Sequence, residues 1–317
     1  MEIIITEDHS FCGRDILSLL KAMGLSSKMI KYLKYRDDGI LVNGARVTVR
    51  HVLTEKDNLC LALDDPDSAD CTPIDIALDV IYENDDLIVI NKPPFMPTHT
   101  SHGHYDDTLA NALAGYFTKK NVPFVFRPIN RLDRNTSGLV LVAKNKPSAA
   151  FLSNEMRAHN IKKSYIAILD GLLPDPSDTV KTDAGLMGVI NKHLHRTAAS
   201  IIVREVCAAD VPDAEAAVTY YKVLGRSNGM TLVEAHPQTG RTHQLRVHFA
   251  FLGCPILGDD IYGTPSGHIN RHALHALTLS LPIPPKPFSV KPVSTEHLEL
   301  RADIPEDMSQ IIEQIFT

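Results

Sequence analysis

No stretch of the sequence approaches eighteen consecutive apolar residues, so there is no candidate for a membrane-spanning helix. Met1 to Ser10 lacks a basic head followed by an apolar run and a small-residue cleavage site, and no secretory signal is expected. The five cysteines, Cys12, Cys60, Cys71, Cys207 and Cys254, are scattered and none forms a C-x-x-C pair. That usage suits reduced thiols in the cytoplasm better than a disulfide framework. There is no G-x-x-x-x-G-K-[ST] loop and no G-x-G-x-x-G after a strand, so no nucleotide cofactor is expected. H-E-x-x-H is absent too. His99, His102 and His104 cluster, as do His268, His272 and His275, but among Gly, Ser and Thr and without thiol partners. Both clusters read as loops, and no metal is expected. No internal repeat or low-complexity tract is present.

What the sequence does contain is ordinary for a globular protein: 317 residues, 44% hydrophobic and 22% charged, enough to bury one large or two smaller cores. A net charge of −6 argues at first against a nucleic-acid partner. Its distribution argues differently. Residues 14 to 56 hold nine Lys or Arg and four acids, whereas 57 to 91 hold ten acids and no Lys or Arg. The swing reads as a basic module, an acidic connector and a larger body, or as two differently solvated faces.

Residues 1–65 form the first expected unit. Asp15 to Met23 carries Ile16, Leu17, Leu19 and Leu20 at helical spacing. Ser26-Ser27 can cap a second helix with Ile30 and Leu33 inward and Lys28, Lys31 and Lys34 nearby. Gly39 to Gly44 reads as a strand entering an Asn-Gly turn, Val47, Val49 and Val52 as its β continuation, and Leu59 to Leu63 as the closing strand. Residues 66–77 read as an acidic linker. Residues 78–317 form the body. There Val80-Ile81-Tyr82 and Leu87 to Ile90 make a hairpin about Asn84-Asp85-Asp86. Leu139 to Val142, Tyr165 to Leu169, Ile201 to Val206, Val218 to Leu224 and Met230 to Ala235 are further strands. Helices are expected after Pro147, after Thr242 as cap with Gly253 as stop, and after Pro305. Asp183 to Arg196 is expected to be a loop. Many strands with few interleaved helices point to an α+β fold, mainly antiparallel with a mixed sheet.

The most informative segment is Asn130-Arg131-Leu132-Asp133-Arg134-Asn135-Thr136-Ser137-Gly138, running into the apolar Leu139 to Ala143. A carboxylate between two arginines at a strand entry is either a reactive acid held ionised or a structural ion pair, and local chemistry alone leaves both open.

This segment resembles the central H-R-L-D-x-x-T-S-G motif of the RluA-type pseudouridine synthases. Further motifs of that family follow in order. Glu83 to Lys92-Pro93-Pro94 with His99 resembles the first, and Asp107-Thr108-Leu109-Ala110-Asn111-Ala112-Leu113 the segment after it. Lys163-Ser164-Tyr165-Ile166-Ala167 with Gly171 resembles K-x-Y-x-A. Thr239-Gly240-Arg241-Thr242-His243-Gln244-Leu245-Arg246-Val247-His248 resembles the last, extended by Pro255 to Asp259 and Tyr262-Gly263. The resemblance covers about residues 78 to 282. Two departures stand out: Asn130 replaces a usual His, and Glu215 a usual Lys. The first unit resembles the RNA-binding module named after the fourth ribosomal small-subunit protein, through Arg14, Leu25-Ser26, Ile30, Gly39, Leu41 to Gly44 and Asp57. A small α+β cap with a solvated basic helix is the plainer alternative.

The resemblance implies a reaction and a set of roles. The C1′–N1 bond of a uridine breaks, the base turns, and C1′ bonds to carbon 5, with no oxidant, metal or phosphate donor. Asp133 is the implied catalytic carboxylate, acting at C1′ or on a ribose proton. Arg246 is implied to pair with it, and Tyr165 to pack against the uracil, although Tyr165 also fits an ordinary strand position. Arg131 would fill the space left by the turned-out base. Lys92, Arg241, His243 and Gln244 complete the implied substrate-binding set. Phosphate contacts are expected from Lys92, Lys144 and Arg127, and from Lys28, Lys31 and Lys34 of the first unit. The expected partner is RNA, ribosomal RNA before transfer RNA, with a monomer as default. A binding protein derived from a synthase and a hydrolase with Asp133 as nucleophile are the alternatives.

Overall fold

The computed structural model describes residues 2–7, 9–23, 25, 27–63, 71–182, 185–284 and 297–316. The heart of the acidic linker and Ser26 of the expected cap lie outside the described residues.

The N-terminal part contains β1 (Glu2–Ile4), α1 (Ile16–Ala22), α2 (Ser27–Tyr35), β2 (Ile40–Val42), β3 (Ala45–Arg46) and β4 (Asn58–Leu61). The strands form one antiparallel sheet in the order β1-β4-β2-β3. The β2–β3 turn places Asn43 and Gly44 both at positive φ, 51° and 80°, the geometry Asn-Gly favours in a two-residue hairpin. Asp15 caps α1 by accepting from the Ser18 amide. The Val47 amide still bonds the Ile40 carbonyl of β2 at 3.1 Å, but Val49 and Val52 do not extend the sheet as expected. The Val49 and His51 carbonyls accept the first free amides of α1, from Leu17 and Ile16, at 2.8 and 3.0 Å. The orphan donors of a helix start therefore outcompete a strand ladder there. Ile16, Leu19, Leu20, Ile30 and Leu33 pack with Ile40, Val42, Leu59 and Leu61 in a core of their own. Lys28, Lys31 and Lys34 stay exposed on α2.

The remainder contains β5 (Asp79–Glu83), β6 (Leu87–Lys92), α3 (Leu109–Lys119), β7 (Arg127–Pro128), β8 (Ser137–Ala143), α4 (Lys146–Arg157), β9 (Lys162–Asp170), β10 (Thr179–Thr182), β11 (Gly185–Arg196), β12 (Arg204–Cys207), β13 (Glu215–Ser227), β14 (Met230–Pro237), α5 (Gln244–Phe251), β15 (Leu274–Pro282), β16 (His297–Arg301) and α6 (Glu306–Phe316). Its strands form one 12-stranded sheet with the path β10-β11-β13-β14-β9-β15-β8-β6-β5. Only the β8–β15 pair is parallel among the described strand pairs, so the fold is α+β with a mainly antiparallel mixed sheet.

β8 is buried along its whole length, which requires cover on both faces. Strand alternation does the sorting. Val140 and Val142 join Ile88, Ile90 and the α3 residues Leu109, Leu113 and Phe117 on one face. Leu139 and Leu141 join Leu87, Val89 and Leu152 of α4 on the other. Each such side chain contributes about 1.5–3 kcal/mol on burial, so a charge at Leu141 would break this layer. α3 starts at a capping box in which Thr108 and Asn111 satisfy each other's amides. Asn145 caps α4, with Pro147 in the first turn as expected.

Four local expectations fail. Thr242 is not the cap of α5: that position is His243, at φ 57° with no side-chain cap. Ile201 to Val203 are outside β12, which starts at Arg204. The expected loop from Asp183 to Arg196 is, from Gly185 on, the long strand β11, paired with β10, β12 and β13. His275 is not a loop histidine either, since it is buried on β15; His272 lies in the connection just before that strand but is buried.

Candidate active site

Asp133 sits between the end of β7 and the start of β8, and almost every neighbour of it is tied down. Buried Thr98 donates to the Leu132 carbonyl at 2.8 Å and accepts from the Leu132 amide at 3.2 Å. The Thr136 amide closes a turn onto the Asp133 carbonyl at 3.1 Å. Lys92 donates to the carbonyls of Pro93 and Met96, both at 2.8 Å, and of Arg134 at 3.3 Å. Arg271, fully buried, donates to the carbonyls of Asn135, His272 and Leu274 and is held by a two-pronged pair with Asp307 of α6. Thr136 and Ser137 share hydrogen bonds with His272 and His275, at 2.7 and 2.9 Å. Gly138 has φ +112°, and a Cβ there would stand 2.2 Å from the Ala276 carbonyl oxygen. The parallel contact of β8 with β15 thus requires glycine at this point.

The Asp133 carboxylate opens into a cleft of about 690 Å³ and is the only acidic side chain among the residues lining it. Five cations surround it, Arg131, Arg157, Lys163, Arg241 and Arg246, and the imidazoles of His99, His159 and His243 complete the wall. Arg246 lies 3.6 Å from Asp133, and His243 3.9 Å. Arg246 is itself gripped by Asp259, with both contacts at 2.7 Å. Asp259, buried, also accepts from the Ile261 and Tyr262 amides. Burial would raise the Asp259 carboxyl, but the Arg246 hydrogen bonds and charge outweigh it and hold it below the usual range. The guanidinium is thereby fixed with one nitrogen left for Asp133, a bidentate geometry that lysine could not supply. Burial lowers His243, with Asp133 partly opposing, and Tyr262 shares a 2.8 Å hydrogen bond with its Nδ1. Tyr165 stands in the cleft wall, its phenol pushed up by burial and then by Asp133.

The expected substrate-binding set divides. Arg131, Arg241 and His243 line the cleft, and Arg131 is exposed there. Arg241 is shared with Glu215, at 2.9 Å, and with the Ala216 carbonyl. Gln244 also lines it, but its amide is occupied: it donates to Val218 and Thr219 and accepts from Thr239 and the Arg241 amide, which makes it a brace for the loop. Lys92 is a correction. It is fully buried with its three protons on carbonyls, so it supports the Asp133 turn and has no face for a phosphate. Burial presses its ammonium down to about 7, against the pull of Asp133. Lys144 pairs with Glu83, and neither it nor Arg127 lines the cleft. Asn130 bridges the Leu139 carbonyl and Leu141 amide like a strand residue, which accounts for an amide at that position. Thr98, Asp259, Arg271 and His272 went unassigned because their roles depend on partners far along the chain. Only Asp259 lay inside a recognised motif. Among the described residues, no group of three or more His, Cys, Asp or Glu could hold a metal ion.

The cleft thus sets one braced carboxylate among cations on a large mixed sheet. The family model for RNA pseudouridylate synthases matches residues 86–251. The chain is 32% identical over 291 residues to the uncharacterized RNA pseudouridine synthase YjbO of Bacillus subtilis, covering 92% of this chain and 95% of that one. It is 33% identical over 263 residues to ribosomal large subunit pseudouridine synthase D of Zymomonas mobilis, covering 79% and 76%. Among solved structures, human RNA pseudouridylate synthase domain containing 4 superposes with a TM-score of 0.53 at 26% identity, covering 74% of this chain and 93% of that one. This chain belongs to the RNA pseudouridine synthase family, whose members are isomerases.

Proposed function

We propose that this protein converts specific uridines of structured RNA to pseudouridine with Asp133 as the catalytic carboxylate. The observation that carries the reading is the placement of Asp133 as the sole acid among the described residues lining a cationic cleft, with Arg246 fixed beside it. Cleavage of the C1′–N1 bond builds positive charge on the ribose, and an anion held at the cleft floor stabilises it. The carboxylate then serves either by bonding to C1′, through an ester bond that breaks as C5 attacks, or by taking the C2′ proton, which returns to C2′ as C5 adds to C1′. The released uracil keeps its electrons at N1, turns, and bonds through C5 to C1′; the C5 proton leaves and N1 gains one. Arg246, 3.6 Å away, holds the Asp133 carboxylate in orientation. Tyr165 supplies the surface for the uracil ring, and Arg131, His243 and Arg241 line the path of the turned-out nucleotide.

The substrate is ribosomal RNA, a reading supported by relatives named as ribosomal large subunit synthases. Residues 1–65 act as an RNA-binding unit, with Lys28, Lys31 and Lys34 exposed on one helix to meet phosphates. Residues 66–77 link it to a catalytic unit of 78–317. A monomer acting in the cytoplasm is the reading that goes with this activity. No helix among the described residues is long and apolar enough to cross a membrane. Carbodiimide-adduct primer extension on RNA from cells lacking the gene tests the substrate. Loss of one or more stops in large-subunit ribosomal RNA is expected. Loss only in transfer RNA would overturn the ribosomal assignment, and no loss in any RNA would overturn the synthase reading.

A further inference from the structure

One half-buried cation in the cleft has no counterpart. β9 alternates, so Lys163 and Tyr165 share a face and both line the cleft, about 7 Å apart along the strand. The Lys163 ammonium has no hydrogen-bond or ion-pair partner among the described residues, unlike Lys92, Arg241 and Arg246. It is half-buried, and burial lowers its pKa with no acid offsetting the effect. Asp133, the one carboxylate in the cleft, is turned towards Arg246 and His243 instead. Arg157, the last residue of α4, adds positive charge to the same wall, and His159 just beyond it adds an imidazole N–H. A partly desolvated cation without a counter-ion is unfavourable until an anion arrives.

We propose that Lys163, flanked by Arg157 and His159, forms a subsite for an RNA phosphodiester next to the target nucleotide. The proposal rests on the synthase reading and extends it. With the uracil against Tyr165, the next step along β9 is comparable to one nucleotide of extended backbone, and a phosphate there would meet the Lys163 ammonium. The wall opposite, around Arg241 and His243, would then guide the other side of the flipped nucleotide. This contact binds and positions the strand; no bond is made or broken at Lys163.

The test compares wild type, Lys163→Met and Lys163→Arg on unmodified ribosomal and transfer RNA labelled with tritium at uridine C5. KM and kcat are measured across a salt series. Lys163→Met is expected to raise KM about tenfold, to leave kcat within about twofold, and to flatten the plot of log KM against log salt by about 0.7 to 0.9. Lys163→Arg is expected to restore the slope, because it restores the charge. A slope unchanged in Lys163→Met, or a loss confined to kcat, would overturn the subsite and leave the synthase reading intact. Wild-type protein that binds RNA without releasing tritium would instead overturn the synthase reading. The same salt slopes, read from filter-binding Kd, would then still decide the phosphate contact.

Discussion

Replacing Asp259 by asparagine probes the link between packing and chemistry. Asp259 is fully buried and accepts four hydrogen bonds, two from Arg246 and two from the Ile261 and Tyr262 amides. Breaking one side of a buried ion pair costs about 3–5 kcal/mol, because the remaining charge is left without compensation. Here the lower end applies: Asp133 and Asp260 stand 3.6 Å from the same guanidinium and retain part of the attraction. A loss of about 3 kcal/mol is therefore expected, read as a fall in the urea midpoint. A carboxyl held below its usual range contributes stability above the unfolded carboxylate pKa and loses it as pH falls through the folded value, so the deficit should shrink in acid. Freed from Asp259, Arg246 turns fully onto Asp133 and shifts the carboxylate. Displacement of a reacting group by about 1 Å costs on the order of a hundredfold in rate, so kcat/KM should fall by about that factor. A variant less than about 1 kcal/mol destabilised, with normal turnover, would refute the argument that Asp259 sets the position of Arg246.

Glu83 offers a pH test. Burial would raise its carboxyl, but hydrogen bonds from Lys144, Tyr116 and Lys120 outweigh it and bring it to about 2 from 4.5. Its contribution is full above 4.5 and disappears as pH falls from about 4.5 towards about 2, so Glu83→Gln should cost at most about 3 kcal/mol at neutral pH and flatten the acid limb of an unfolding titration. Gly138→Ala should yield little soluble protein, or protein destabilised by more than about 3 kcal/mol, since its Cβ would collide with the Ala276 backbone at a positive φ; solubility and melting temperature check this. Lys92→Met should lower stability and kcat by freeing three carbonyls, yet leave the salt slope of RNA binding unchanged, because Lys92 has no face for phosphate. A flattened slope in that variant would restore Lys92 to the phosphate contacts.

The regular elements were legible where local signals agreed with the tertiary outcome. The alternation of Leu139 to Val142, the Asn43-Gly44 turn and the Pro147 helix start all depend on neighbours in sequence, and all appear as read. Val47 to Val52 misled because helix α1 claimed its carbonyls, a partner some thirty residues away. β11 was hidden by its mixture of Lys and His, whose exposed face masks the buried Ile190 and Leu194. The central strand β15 escaped because His275 looks like a solvent-facing residue until Ser137 is placed beside it. For the candidate site, Asp133, Tyr165, His243 and Arg246 were found as a motif set, and they share one cleft. Lys92 was taken for a surface cation because sequence carries no signal for the burial of a charged side chain. Its three carbonyl partners are properties of the folded turn alone.

The most direct test of the central claim is tritium release from C5-labelled uridine in unmodified RNA, comparing wild type with Asp133→Asn, alongside RNA binding by both. Release by wild type, with loss of at least about a thousandfold in the variant and RNA affinity retained, is what a catalytic carboxylate requires. Equal release by Asp133→Asn would contradict the assignment of Asp133, and no release by wild type from ribosomal or transfer RNA would contradict the proposed activity itself.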